Sequence, residues 1–157
     1  MGPAEPKIPD RMPHPSDDGL EGLYLYKAGL EPGTDFSNLE LPRMFIGRSR
    51  IEGASFQNTN LFESWFCWNN FIDTDFTDAD LQGCDLRASE FERVPFRRAN
   101  LSGADLRRSF FENCDFEGAR MVGARLARRQ AGGLRLSASQ MAEVSWSEED
   151  GPEPDGG

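Results

Sequence analysis

The chain has 157 residues, enough for one domain, with a formal charge of −10 and one histidine, His14. That acidity argues against direct binding of nucleic acid, which calls for a net basic domain, and a lone histidine leaves no Ser-His or Cys-His pair for nucleophilic catalysis. Three cysteines at wide spacing (Cys67, Cys84, Cys114) fit no zinc pattern and point to a reducing compartment, so the expected location is cytoplasmic.

Residues 1–19 carry Pro3, Pro6, Pro9, Pro13 and Pro15 among charges and read as a disordered tail. They contain no apolar core of a secretory signal, and nothing in the chain is long enough to span a membrane. In residues 20–33, Leu23 and Leu25 alternate with Tyr24 and Tyr26. That alternation predicts an extended segment, a candidate N-terminal cap.

Residues 34–130 are built on a period of five. Every fifth residue from Phe36 to Leu126 is large and apolar, nineteen in succession. Neither a helix (3.6) nor a strand (2) has this period, so a repeat architecture is indicated. Two residues before each large one stands a column that is nearly all small from Ser49 onward. In an extended chain both columns point to the same side, so each unit offers one large and one small inward group and then turns a corner. Phe36, Phe56, Phe76, Phe96 and Phe116 recur at a spacing of twenty, four units of five. Four short sides per coil would stack like on like, with a rise of about 4.8 Å per coil. Leu39 and Met44 are too large for the small column, so the first coil is irregular. Pro95 removes a ladder donor and marks a corner or a local break. Arg129 falls on a small-column position where an unpaired charge cannot be buried, so regular coiling ends there.

In residues 131–147, Ala131-Gly132-Gly133 breaks the pattern and Ser137-Ala138-Ser139-Gln140 fits a capping box. This predicts a short C-terminal capping helix over 138–144. The alternative is a ragged sixth coil, since Leu136, Met141 and Trp146 remain in register by fives. Residues 148–157 read as a disordered acidic tail.

Units such as Ala79-Asp80-Leu81-Gln82-Gly83 and Ala99-Asn100-Leu101-Ser102-Gly103 resemble the A-(D/N)-L-x-x motif of the pentapeptide-repeat family. The resemblance implies an all-β fold, a right-handed quadrilateral β-helix (solenoid) of about five coils. It also implies a non-enzymatic role, and it allows a DNA mimic, since some members protect DNA gyrase and topoisomerase IV by imitating duplex DNA.

Two surfaces are candidate sites. In a regular coil the positions flanking each inward residue face water, and in the second coil they hold Phe62, Trp65, Cys67, Trp68 and Ile72, with Phe45 one coil below Trp65. Contiguous exposed apolar surface marks an interface. A cover formed by residues 20–30 would leave the same signature, and both readings stand. The second surface is an acidic band. Residues 73–92 carry seven acids, including Asp73, Asp75, Asp78, Asp80 and Asp85, and one base; residues 93–130 carry nine arginines and four acids. The spacing of twenty sets Asp73 over Arg93, Asp78 over Arg98 and Arg97 over Glu117, pairs worth about 0–1 kcal/mol each. Asp85 over Asp105 and Glu92 over Glu112 stack like charges, which could bind a cation or meet a basic partner. The glycines at Gly83, Gly103, Gly118 and Gly123 sit at corners and form no phosphate-binding loop.

The reading is a non-enzymatic, cytoplasmic interaction module. It needs no cofactor or metal, and it binds a protein partner or a second copy of itself through Phe45, Phe62, Trp65, Trp68 and Ile72. Dimerisation through the C-terminal helix is compatible with it. The alternative is a DNA mimic acting on a type II topoisomerase through the acidic band.

Overall fold

The computed structural model describes residues 23–27 and 29–154; the N-terminal tail expected over 1–19 and the last three residues lie outside that span. Eight three-residue strands follow one another: β1 (Tyr24–Tyr26), β2 (Phe45–Gly47), β3 (Arg50–Glu52), β4 (Asn70–Ile72), β5 (Glu90–Glu92), β6 (Phe110–Glu112), β7 (Arg125–Ala127) and β8 (Ser145–Ser147). Every pairing is parallel. β3 to β6 form one four-stranded ladder in which Ile51, Phe71, Phe91 and Phe111 meet rung by rung, an offset of twenty residues. Single parallel bridges continue the other faces, as in Glu40, Asn60, Asp80, Asn100 and Arg120. The chain is therefore a quadrilateral β-helix, as the period of five predicts.

The corners explain the motif. The side-chain oxygens of Asp75, Asp80, Asp85, Asn100 and Asp105 each accept a hydrogen bond from the backbone N–H two residues on. This is an Asx turn, which an Asp or Asn just before the inward residue can make and an apolar residue cannot. Two residues after the inward one the chain must enter the left-handed region. Gly83 and Gly103 do so freely, but fourteen non-glycine residues do so as well, among them Trp68, Ala88 and Arg108.

The interior is built from axial stacks. Phe36, Phe56, Phe76, Phe96 and Phe116 lie ring on ring with centroids 4.8, 5.1, 5.5 and 5.0 Å apart. Phe71, Phe91 and Phe111 repeat this on the next face at 5.1 Å, and the two columns meet edge to face, Phe91 against Phe96 at 5.4 Å. The polar members of the small column are buried but satisfied. The hydroxyls of Thr59, Ser89 and Ser109 donate to the carbonyls of Phe36, Phe66 and Leu86, each 23 residues earlier. Cys84 and Cys114 make the same reach with their thiols.

Pro95 behaves as its missing N–H dictates. Its carbonyl still accepts from Phe76 at 2.9 Å, but no bridge joins it to Asp75 among the described residues. Regular coiling stops where Arg129 enters the small column: a 3-10 helix, Arg128–Gly133, replaces the next strand. Gln130 turns inward there and donates to the Leu106 and Ser109 carbonyls.

Both readings of residues 131–147 are realised together. A helix α1 (Ala138–Glu143) begins at the Ser137/Gln140 capping box, and the chain still completes a sixth turn, with Leu126 paired to Trp146. At the other end β1 adds a rung below β2, pairing Leu25 with Ile46, an offset of twenty-one. The expectation of a disordered 148–157 is corrected for residues 148–154, which lie against the side of the rod, held by ion pairs and by hydrogen bonds to their carbonyls.

Two substitutions separate the core from the corners. Phe76→Ala removes the middle ring of a stack and is expected to cost about 3–5 kcal/mol by denaturant melts; a change near zero would sink the stacked core. Ala88→Gly relieves a left-handed alanine and is expected to stabilise by about 0.5–1 kcal/mol in the same melts.

Candidate functional site

The candidate surface runs along the face that carries β1, β2, β7 and β8. Its column just before the inward residue reads Tyr24, Phe45, Trp65, Asp85, Asp105, Arg125, one residue per rung. The first three form a continuous stack: Tyr24 on Phe45 at 4.2 Å and Phe45 on Trp65 at 4.5 Å, with planes within 3°. Gly47 makes this possible, because a Cβ there would collide with the Phe45 ring.

The five residues expected to stand in water are placed differently. Ile72 is only 4% exposed, and Phe45, Phe62, Trp65 and Trp68 are half-buried. Stacking along the axis accounts for Phe45 and Trp65, since each ring loses a face to its neighbour. Ile72 has Glu52 and Glu92 as rung partners, whose aliphatic stems can shield an apolar side chain. Phe62 has the Arg43 guanidinium 5.8 Å from its ring centre, and Trp68 has that of Arg48 at 4.7 Å. The segment at Tyr24 does not fold back over the patch; it extends the stack by one rung. Phe110, which stands alone, is the most exposed large apolar residue described, at 65%.

Cys67 was expected outward and is fully buried, its thiol 3.6 Å from the Asp85 carbonyl. Burial pushes the Cys67 and Cys84 thiols up, and Cys114 up to about 11. All three are protonated at neutral pH and so are poor nucleophiles.

The acidic band is neutralised locally. Arg93 and Arg98 reach down twenty residues to Asp73 and Asp78 at 2.8 and 2.9 Å, and Arg97 meets Glu117 at 3.1 Å. Asp75 and Asp80 are engaged by their own turns. The Asp85/Asp105 like-charge stack is resolved sideways: Arg87 lies 2.7 Å from Asp85 and 3.6 Å from Asp105, and Arg107 binds Asp105 at 2.8 Å. Arg93 takes Glu92 at 2.7 Å. Burial would raise the Asp85 carboxyl, but the hydrogen bonds from Arg87 and Cys67 hold it below the usual carboxylate range. The bond from Arg93 does the same for Asp73.

Sequence reasoning missed the docking of residues 148–154. The carboxylate of Glu148 meets Arg128 and that of Asp150 meets Arg129. The chain then descends past Arg108 and Arg87 to Trp68. The available signal was charge: acids at 148, 149, 150 and 153 and arginines at 87, 107, 108, 128 and 129.

The profile of the family Pentapeptide repeats matches residues 49–87, 70–93 and 96–128, eight copies in all. The chain belongs to the pentapeptide-repeat family. The fold of this pentapeptide-repeat protein is similar to that of HetL, a pentapeptide repeat protein involved in heterocyst differentiation regulation from the cyanobacterium Nostoc sp. strain PCC 7120. The TM-score is 0.54 at 18% identity, over 65% of this chain and 46% of HetL. The chain thus spans a little under half the length of HetL. Looser superpositions are found with Rfr23 from the cyanobacterium Cyanothece 51142 (TM-score 0.44, 19% identity, 64% of this chain and 82% of that one). QnrB1, a plasmid-mediated fluoroquinolone resistance protein, superposes with TM-score 0.36 at 15% identity, over 68% and 62% of the two chains. No curated protein sequence matches. These likenesses are of fold alone.

The depressed carboxyls fix a pH dependence. A group whose pKa is lowered on folding stabilises the fold above its unfolded value, about 3.9 for Asp, and loses that contribution as pH falls through the folded value. Asp73, Asp85 and Asp150 are all lowered, Asp150 by its bond to Arg129. The melting temperature is expected to be flat from neutral pH down to about 5 and to fall progressively below about 4. Thermal melts at stepped pH check this, and an unchanged midpoint well below pH 3 would contradict it.

Proposed function

We propose that this pentapeptide-repeat protein is a non-catalytic interaction module that docks a protein partner along Phe45, Phe62, Trp65 and Trp68. One observation carries the reading. The column that holds Tyr24, Phe45 and Trp65 holds Asp85 and Asp105 in the next two coils, on the same strand face, with an Asx turn after each aspartate where the aromatic rungs run into a bend. The coil therefore accepts aspartate there and gains an Asx turn from it. Three aromatics in succession are not required by the coil; Tyr24 is buried at the foot of the stack, while Phe45 and Trp65 stay partly exposed, as side chains that anchor protein contacts do. Part of their value is structural, since each stacked pair adds about 0.5–1.5 kcal/mol. Ile72 drops out of the docking set because it is buried.

Among the described residues the thiols are raised and no histidine is present, which supports a role without catalysis. Mimicry of DNA toward a type II topoisomerase has less support. It wants regularly spaced, unneutralised charge along the rod, and Asp73, Asp78 and Asp85 are each held by an arginine.

Trp65→Glu tests the reading. Its circular dichroism is expected to match the parent, while association with a partner, or self-association by sedimentation, falls by at least about tenfold, a loss of 1.4 kcal/mol or more. Loss of folding instead would assign the stack to stability alone. A gyrase supercoiling assay, with and without a quinolone, is expected to show no effect; inhibition or protection would put the mimic reading first.

A further inference from the structure

Residues 148–154 show how this side of the rod holds an extended peptide. The Gly151 carbonyl accepts from Arg108 Nε at 2.9 Å and Nη2 at 2.7 Å. The Pro152 carbonyl accepts from Arg87 Nη1 at 3.0 Å, and the Pro154 carbonyl from the Trp68 indole N–H at 3.3 Å. Glu153 lies 3.6 Å from Arg108, and Pro154 is buried. Gly151 has φ +73°, and a Cβ there would overlap the Arg107 guanidinium, so the chain lies flat on that side chain.

Of the donors, Arg87 is fixed within the rod, whereas Arg108 meets the tail itself, at Gly151 and Glu153. Asp85 holds Arg87 and Asp105 holds Arg107. They read backbone carbonyls, which every peptide has, while the surrounding arginines favour acidic side chains. An open depression of about 580 Å³ adjoins the seat, with Trp68, Ala88 and Phe110 among otherwise polar walls that include Arg48, Arg108 and Glu153. Among the described residues, Phe110 there stays exposed.

We propose that this groove is a recognition site for an extended, acidic, Gly-Pro-containing segment of a partner protein, and that residues 148–154 are its intramolecular occupant. The inference rests on the reading of the chain as an interaction module, and it names the partner's chemistry at the Trp68 end. The partner's segment competes by covering Phe110 with an apolar side chain, where residues 148–154 leave that ring exposed. A tethered occupant acts at an effective concentration of about millimolar, so the site is closed to weak ligands and open to a segment with the extra contact.

The test uses the full chain with its tail released: Glu148→Gln, Asp150→Asn, Gly151→Val and Glu153→Gln together. These changes remove the ion pairs and the left-handed glycine without adding charge. Release is read as a shift of the Trp68 indole N–H resonance. The probe is a fluorescein-labelled peptide of the parent sequence 147–157, followed by anisotropy. The released chain is expected to bind it, more weakly as salt is raised, and the parent chain about 10²-fold less well. Trp68→Ala or Arg108→Ala in the released chain, with circular dichroism unchanged, should cut binding by at least about tenfold.

Absence of binding to the released chain would overturn the proposal, as would equal binding to parent and released chains or indifference to Trp68→Ala. A parent dimer by sedimentation that becomes monomeric on release would make a second copy's tail the occupant and overturn the partner assignment. Trp65→Glu is expected to leave peptide binding intact, which separates failure of the wider docking surface from failure of this groove.

Discussion

Each inward ring lies about 5 Å from the ring twenty residues away, close to the spacing that backbone hydrogen bonding sets between strands. The coincidence of these two distances governs the rest of the molecule. It requires identical or similar residues at a spacing of twenty, and it confines each side to a strand of three residues. Each corner must then be completed in two. Such corners need a left-handed residue after the inward one, and an Asp or Asn before it adds an Asx turn. The fourteen non-glycine residues with positive φ are strained locally, each by about 1–2 kcal/mol. They persist because the ladders on both flanking sides fix the chain direction.

Outside the rod, position along the axis decides chemistry. The column Tyr24, Phe45, Trp65, Asp85, Asp105, Arg125 passes from aromatic to acidic to basic while parallel pairing continues from rung to rung. One end of the face therefore offers flat rings and the other offers buttressed arginines, with Trp68 and the docked residues 148–154 where they meet. A solenoid can do this because neighbouring rungs share a backbone geometry and not a side-chain requirement.

Much of the architecture was legible in the chain. The period of five, the recurrence at twenty, the stop at Arg129 and the Ser137/Gln140 capping box all report on local or next-coil contacts. What was not legible depends on contacts without a period. Residues 148–154 meet Arg87 and Trp68, 65 and 86 positions away, and their composition is that of a disordered segment. The half-buried state of Phe45 and Trp65 follows from axial stacking, which a column of aromatics suggests only once the offset to Tyr24 is known. The Asp85/Asp105 pair looked unneutralised because only residues directly above one another were compared, whereas Arg87 reaches both from the turn two residues after Asp85.

The offset of twenty-one between β1 and β2 bears on how such a chain can change in length. The extra residue falls between Gly29, paired with Arg50, and Asp35, paired with Ser55 at the regular offset of twenty. There the extra residue disturbs a single coil, since the rungs from Asp35 onward keep the regular offset of twenty. In the middle, the same insertion would move every later inward ring to the outside. The gene for such a protein can thus gain or lose whole coils of twenty codons, or drift by single codons at its ends. Between those ends its reading of length is quantised.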